Sequence, residues 1–459
     1  MKPNSQIYLI LLFLLTYYLK IGWLVQIGIV ILSFYYVHRK DELNLFFLFF
    51  TIHFLLPYEY NTLTLGANIG NYLGNSFIAG IPLYIGLPVL LKSKYKLSRN
   101  LKILLIVFFI IYFASTLLKG FEALLGGSQR VRIAWVINYF NIFVIVFWAS
   151  RVLISWDRMK EFAQHLIILG FLIALFGLIQ YIFKFYFIEY SYTYTNVERF
   201  SIIPYLDPVD LFPYLIVPLS FAFNYLFQKF ENKHFVLLVT VLLLLSILFT
   251  WGRWGLFCTA LTLIISLLLN KKIKVALFIC AFGFFVYSFM SFDVFNIMPT
   301  DQIERLSSGD NLVVRMLLWF AAAYAIKENV FLGVGIGNSV EAYSKVGINI
   351  SDFSQTTVIN PNDFLSGQSI HQFYLDWILQ MGIFIVPAII LLYWMFFKNT
   401  KTILKSSADP ISLYVSKALI CSVVGVSLFW MQNSGLDYFW LFLFPTLSYS
   451  IINIQDNTV

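Results

Sequence analysis

Charged residues are scarce in this chain. Asp, Glu, Lys and Arg make up 12% of its 459 residues, whereas apolar residues make up 60%. A water-soluble protein of this size needs about twice that charged fraction to cover its surface. Apolar runs of roughly 15–23 residues recur from one end of the chain to the other, which is the length that crosses a bilayer as a helix. The composition therefore disfavours a soluble enzyme and predicts a single, all-α polytopic membrane domain over 1–459.

Cysteine is also rare. The three cysteines, Cys258, Cys280 and Cys421, all fall inside apolar runs, and no pair has the spacing of metal ligands. This argues against a disulfide framework and a zinc site. The chain contains no Asp-x-Asp sequence, which disfavours a metal-chelating site, so we predict neither a metal nor a cofactor. The net charge of +8 does not predict a nucleic-acid partner, because most basic residues lie in short segments between apolar runs.

The apolar runs predict fourteen membrane spans, or twelve because the first pair is short. The predicted spans are 6–19, 21–37, 43–56, 76–91, 101–118, 133–150, 162–183, 211–227, 235–250, 255–270, 275–290, 376–397, 416–432 and 438–454. We interpret the first run as a retained helix, since no small-residue cleavage site follows it. With the N-terminus in the cytoplasm, 20 of the 31 lysines and arginines fall in inner segments, as the positive-inside rule requires.

Few ionisable groups lie within these spans, with His53 and His165 as the main exceptions. Coupled transporters usually carry acids or bases at membrane depth. Nor does the sequence contain a matching pair of interrupted spans, which would indicate inverted repeats. The pattern therefore favours chemistry at the outer face over transport through the middle of the membrane.

Two predicted outer segments are too long to be simple connections. Residues 184–210 are rich in tyrosine and contain Arg199, so they fit either sugar stacking or anchoring at the membrane interface. Residues 291–375 form the largest predicted outer loop. Within it, the uncharged stretch Met316–Ile326 is too short to span, and we predict a helix that lies on or dips into the outer leaflet.

Short motifs follow one another along the second half of the chain. Segment 250–255 reads Thr-Trp-Gly-Arg-Trp-Gly, and its Arg253 fits either an interfacial anchor or a fixed cation for a lipid phosphate. The large loop then supplies Arg315, followed by Trp at the fourth position. Next comes a Gly-x-Gly-x-Gly run at 333–337, which predicts a tight turn or a close backbone approach to a ligand.

His371 is the only histidine in any predicted outer loop. We expect it in the first turn of the helix that continues into the span 376–397, with Ser369 as the N-cap. Tyr374 would then lie one turn along on the same helix face. A lone histidine is compatible with a structural role as well as with a catalytic one.

The order of these motifs resembles the O-antigen ligase and polymerase superfamily of bacterial envelope glycosyltransferases. The resemblance covers roughly 235–397, about a third of the chain. It includes Thr-x-x-Arg closing a span, Arg-x-x-x-Trp in a large outer loop, the glycine run, and His-x-x-Tyr-Leu opening the next span. The chain departs from the family's usual pattern at Gly252, where serine is common, and at Gln372, where asparagine is common.

The resemblance implies metal-independent transfer of a glycan from an undecaprenyl-diphosphate donor to a sugar hydroxyl. It places the active site on the periplasmic or outer face of a bacterial inner membrane. Arg253 and Arg315 match the arginines that handle the diphosphate, and His371 matches the proposed base. Tyr374 and Arg199 are further candidates for contact with the diphosphate or the sugar.

The same residues would serve either of two reactions. A polymerase adds the growing glycan to a lipid-linked repeat unit, and a ligase transfers the finished glycan to lipid A-core. The implied partners are the lipid-linked donor, one of these acceptors, the bilayer and, for a polymerase, a chain-length regulator. We favour the polymerase slightly, and a polyprenol-glycan flippase or another transporter remains the third alternative.

Overall fold

The structure is a computed structural model, and part of the chain can be described in it. The described residues are 22–55, 102–103, 106–115, 148–183, 211–250, 253–277, 310–335, 342, 372–407, 409–431 and 439–458. Regular structure in these segments is helical, and they contain no β-strand. The expectation of an all-α chain is therefore confirmed over these residues.

Twelve helices are named here in chain order. They are α1 Gly22–Arg39, α2 Glu42–Leu55, α3 Ile106–Ser115, α4 Trp156–Phe183, α5 Phe212–Leu226, α6 Lys233–Phe249, α7 Arg253–Leu269, α8 Asp310–Glu328, α9 Phe373–Met381, α10 Ile385–Ser406, α11 Pro410–Trp430 and α12 Phe439–Thr458. Nine of them, α1 to α7, α11 and α12, overlie predicted spans. The predicted spans 6–19 and 76–91 lie outside the described residues.

Two of these helices, α4 and α11, are long and apolar enough to cross a membrane by length and composition. Both extend further toward their N-termini than the sequence predicts. α4 begins with a polar turn that contains Asp157 and Arg158, whereas α11 begins at Pro410, a residue favoured in the first turn of a helix.

The predicted span 376–397 is wrong as a single helix. The chain forms the short helix α9, leaves helical geometry at Gly382, and begins α10 at Ile385. The hydroxyls of Tyr374 on α9 and Tyr393 on α10 are 2.9 Å apart. One continuous helix would separate these residues by about 28 Å along its axis, too far for two tyrosine side chains to meet. The chain therefore turns sharply between α9 and α10.

Helix α8 is longer than the uncharged stretch Met316–Ile326 that predicted it. Its 19 residues span about 28 Å, because polar turns extend it at both ends. One face buries Leu318 and three alanines, whereas Met316, Phe320 and Tyr324 form an exposed row at helical spacing. Lys327 lies 5.7 Å above the Tyr324 ring. Apolar side chains therefore occupy both the buried and the exposed row, so α8 is not amphipathic, and its pattern gives no support to the predicted helix on the membrane surface.

Residues group into two compact units, the first from 1–165, 319–413 and 433–459, and the second from 166–318 and 414–432. Aromatic side chains fill the described core of the first unit. Phe46 lies 6.0 Å from both Trp148 and Phe162, and all three are fully buried. His165, expected as an ionisable group at membrane depth, is buried there and pairs with the Thr51 hydroxyl at 2.8 Å.

Helices α5, α6, α7 and part of α11 belong to the second unit. A polar chain joins three of them: Lys417 Nζ donates to Asn270 Oδ1 at 3.0 Å, and Asn270 Nδ2 donates to Asn224 Oδ1 at 2.8 Å. Asn224 lies near the end of α5, Asn270 follows α7, and Lys417 lies near the start of α11. The Lys and Arg count assigns all three places to the inner side, so their contact agrees with the predicted orientation.

Candidate functional site

Arg253 is the first residue of α7, and two neighbours fix the backbone there. Trp254 Nε1 donates to the Leu428 carbonyl at 2.8 Å. Gly255 lies against the ring of Phe212 so closely that a Cβ atom would overlap it. The Arg253 side chain itself lies outside what the structure describes. Trp254 thus ties the start of α7 to α11.

The position of Arg253 has an electrostatic consequence. The first N–H groups of a helix lack intrahelical acceptors and carry partial positive charge, so a cation there is unfavourable unless an anion binds. The start of α7, where Arg253 stands in the chain, is therefore an anion-attracting helix terminus.

Arg315 lies in the second turn of α8 and is half-buried. Trp319 follows one turn later on the same helix. Its indole Nε1 is buried and meets no hydrogen-bond acceptor in the described part of the chain. A buried N–H without an acceptor costs free energy, roughly 1–3 kcal/mol. Sequence reasoning quoted Trp319 as part of a motif but assigned it no role; the structure makes it a candidate donor to a ligand.

The glycine run forms a turn that packs on α9. Gly333 and Gly335 adopt φ angles of +67° and +87°. Val334 N donates to the Leu379 carbonyl at 2.8 Å, and Gly335 N donates to the Gln380 carbonyl at 3.0 Å. These bonds satisfy carbonyls that the end of α9 leaves without helical partners. Two interpretations of the run are a tight turn and a close approach of backbone to a ligand. Gly333 and Gly335 fit a tight turn, which packs against the backbone at the end of α9. Gly337 lies outside the described residues.

The start of α9 differs from the prediction. Gln372 is the N-cap, with extended backbone angles, and its side-chain oxygen accepts from Leu375 N. The prediction that Ser369 is the N-cap is therefore wrong. His371 precedes the helix in the chain and does not lie in its first turn. Glutamine rarely caps helices, which is why the sequence pointed to the serine. His371 itself lies outside the described residues.

Tyr374 is half-buried on α9, where its hydroxyl pairs with Tyr393. The prediction that Tyr374 shares a helix face with His371 is wrong, because α9 begins at Phe373 after the N-cap Gln372 and helical spacing does not extend to His371. Arg199 and the whole of 184–210 lie outside the described residues, as does most of the large loop 291–375.

Asp376 is a buried carboxylate that sequence reasoning missed. It lies in the first turn of α9, is 8% exposed, and accepts a bond of 2.7 Å from Gln380 Nε2. Ser115 Oγ donates to the Gln380 carbonyl at 2.6 Å and so joins α3 to the same cluster. The signal was available, since Asp376 is the one acid in the apolar stretch 373–397, and acids in such stretches are rare and usually functional.

The described residues include no group of three His, Cys, Asp or Glu side chains placed to hold a metal ion. By unit, Arg253 and Arg315 belong to the second, and Tyr374, Asp376 and the glycine turn belong to the first. Comparison with models of known protein families and with characterised proteins gives no match for this chain.

Proposed function

We propose that the chain is a polytopic membrane protein, because its described helices expose apolar faces that water does not tolerate. Five side chains on α6 are each at least 38% exposed: Leu237, Leu238, Val241, Leu245 and Leu248. On α3, Ile106, Val107, Phe109, Ile110 and Phe113 are each at least 39% exposed, while Phe108 and Tyr112 on the other face are buried. Soluble monomers rarely expose continuous apolar surface of this extent, whereas lipid contact accounts for it.

Within that membrane protein we propose a metal-independent glycosyltransferase that uses an undecaprenyl-diphosphate donor at the outer face. The observation that carries this proposal is the docking of the glycine turn on α9. The turn holds one motif of the resemblance, and α9 begins at another, His-x-x-Tyr-Leu. Val334 and Gly335 donate to the carbonyls of Leu379 and Gln380 at the end of α9, so the turn that holds one motif is joined to the helix that begins at the other. Such a contact is expected if the motifs build one site.

The proposed reaction is a displacement at the anomeric carbon of the donor sugar. The acceptor hydroxyl oxygen bonds to that carbon, the bond from carbon to the phosphate oxygen breaks, and undecaprenyl diphosphate leaves. His371 takes the proton of the hydroxyl, a role worth about 10²–10⁴-fold in rate. Arg253 and Arg315 stabilise the negative charge on the departing diphosphate, and each is worth about 10²–10³-fold by analogy with oxyanion donors. Trp319 Nε1 is a candidate further donor, and Tyr374 and Arg199 are candidates for contact with sugar or diphosphate.

A polymerase that extends O-antigen or another surface polysaccharide is the first assignment. An O-antigen ligase acting on lipid A-core is the alternative, because it needs the same donor and the same residues. A polyprenol-glycan flippase is the third. The buried Asp376 and His165 are observations in its favour, since transporters place acids and bases at membrane depth.

Glycan analysis after deletion of the gene separates these assignments. Core carrying a single repeat indicates loss of a polymerase, and bare core with accumulated lipid-linked polymer indicates loss of a ligase. Loss of a flippase leaves lipid-linked single repeats on the cytoplasmic side. Purified chain that elongates a lipid-linked repeat unit would support the polymerase, and a deletion strain with unchanged surface glycan would contradict all three.

A further inference from the structure

The exposed face of α10 changes from apolar to basic partway along the helix. Six exposed residues follow one another at spacings of three or four, and so form a single ridge: Pro387, Ile390, Trp394, Lys398, Lys401 and Lys405. Its apolar part, from Pro387 to Trp394, and its basic part, from Lys398 to Lys405, are each about 10 Å long. We call this set the α10 ridge.

The opposite face of α10 is buried against protein. Leu392, Phe396 and Ile403 are almost fully buried, and the neighbouring helix is α12. Asn399 Nδ2 donates to Ser448 Oγ of α12 at 3.3 Å. The helix is therefore held by one face, and the α10 ridge points away from the first unit at a fixed orientation.

Trp394 and Lys398 mark the change from apolar to basic. Lys398 Nζ lies 4.8 Å above the centre of the Trp394 ring, within cation–π range. Tryptophan with an adjacent lysine is typical of the level at which hydrocarbon gives way to lipid headgroups. The pair therefore places the headgroup layer beside the last two turns of α10.

The lysines of the ridge lack acidic neighbours. Helix α10 contains no Asp or Glu, and no carboxylate in the described segments forms an ion pair with the three lysines. The nearest acid along the chain after them, Asp409, accepts the Ser412 N–H at 2.7 Å at the start of α11. Three exposed positive charges on one helix face thus remain available for an external anion.

We propose that the α10 ridge binds anionic phospholipid, with acyl chains along Ile390 and Trp394 and the headgroup phosphate at Lys398, Lys401 and Lys405. A soluble acidic partner would use the basic part of the ridge only, whereas a phospholipid matches both parts with one molecule. The proposal rests on the membrane location in the proposed function, and not on glycosyl transfer.

Native mass spectrometry of the full chain in neutral detergent tests this, with phosphatidylglycerol and phosphatidylcholine as probes. Each lysine near an anionic surface contributes roughly fivefold in affinity. The Lys398→Gln, Lys401→Gln, Lys405→Gln triple variant should therefore lose at least about tenfold of the preference for phosphatidylglycerol. The matched control changes Lys271, Lys272 and Lys274 to Gln after α7, which removes the same charge at another place in the chain. Its preference should stay within about threefold of wild type.

Equal loss in both triple variants would overturn the proposal, because net charge alone would then explain binding. Equal affinity of wild type for the two lipids would also overturn it. Displacement of the lipid by inorganic phosphate, but not by chloride at equal ionic strength, would indicate a phosphate site in its place. A chain that stays in water without detergent contradicts the membrane location itself, whereas an inserted chain without lipid preference contradicts the α10 ridge alone.

Discussion

Replacing Gly382 by alanine should disrupt the turn between α9 and α10. Gly382 has φ of +80° and ψ of 179°, a region that is essentially restricted to glycine and costs other residues about 1–3 kcal/mol. An added Cβ would overlap the backbone of Phe331, which cannot rotate away as a side chain could. The adjacent bond from Ile383 N to the Val330 carbonyl, 2.7 Å long, would lengthen or break, at a cost of about 1 kcal/mol. We expect a loss of about 2–4 kcal/mol in the free energy of unfolding.

Gly28 provides a matched control for this substitution. It lies inside α1, and nothing comes within 4 Å of the position a Cβ would take. Alanine there should be neutral or stabilising by up to about 1 kcal/mol, since glycine weakens a helix interior.

The assay is thermal unfolding of the two purified variants in one detergent at one heating rate, because membrane proteins often unfold irreversibly. A loss of 1 kcal/mol in the free energy of unfolding lowers the Tm by about 2–4 °C. We therefore expect the Tm of Gly382→Ala to lie on the order of 5 °C below that of Gly28→Ala. Transfer activity should fall as well, since the turn orients α9. Equal Tm values for the two variants would refute the assigned geometry at Gly382.

Three further predictions concern the arginines, the start of α7 and the large loop. Arg253→Ala and Arg315→Ala should each lower the rate of transfer at least about a hundredfold without loss of folded protein. Lysine at either position should restore little activity, because it lacks the planar donor fork of arginine. Near-normal transfer by Arg253→Ala would return that residue to the role of an interfacial anchor. Gly255→Ala should lower the free energy of unfolding by about 1–3 kcal/mol, because the added methyl group overpacks against Phe212. The loss should appear as a lower Tm, together with weaker donor binding. An unchanged Tm would contradict the tight contact. A cysteine at Ser344 should react with a membrane-impermeant reagent from the outer side, and reaction from the cytoplasm alone would reverse the predicted orientation.

The positions of most helices could be predicted from sequence, because apolar runs bounded by polar residues mark where a chain becomes helical. The turn at Gly382 could not. The residues on both sides of it are apolar, so hydropathy continues across the break, whereas the turn depends on a backbone angle and on contact with Phe331. The full length of α8 was hidden for the opposite reason, since Asp310 and Glu328 extend the helix beyond the uncharged stretch that predicted it.

The candidate site was predictable in its charged members and not in the contacts that position them. Arg253 and Arg315 stand out in the sequence because each is a cation next to an apolar run in a chain with few charged residues. The docking of Gly335 on Gln380 is made by backbone atoms of residues far apart in sequence, and no side-chain pattern encodes it. Asp376 was visible as an acid in an apolar stretch, but its burial follows from tertiary packing.

Transfer by the His371→Gln variant is the most direct test of the central claim. Wild type and variant would be purified in the same detergent and supplied with an undecaprenyl-diphosphate-linked oligosaccharide and its acceptor. Glutamine keeps polarity and similar size but cannot accept the proton. We predict that the rate of transfer falls by about a hundredfold or more, while the Tm and donor affinity match those of the wild type. A well-folded His371→Gln protein that transfers glycan at nearly the wild-type rate would contradict the assignment of His371 as the base.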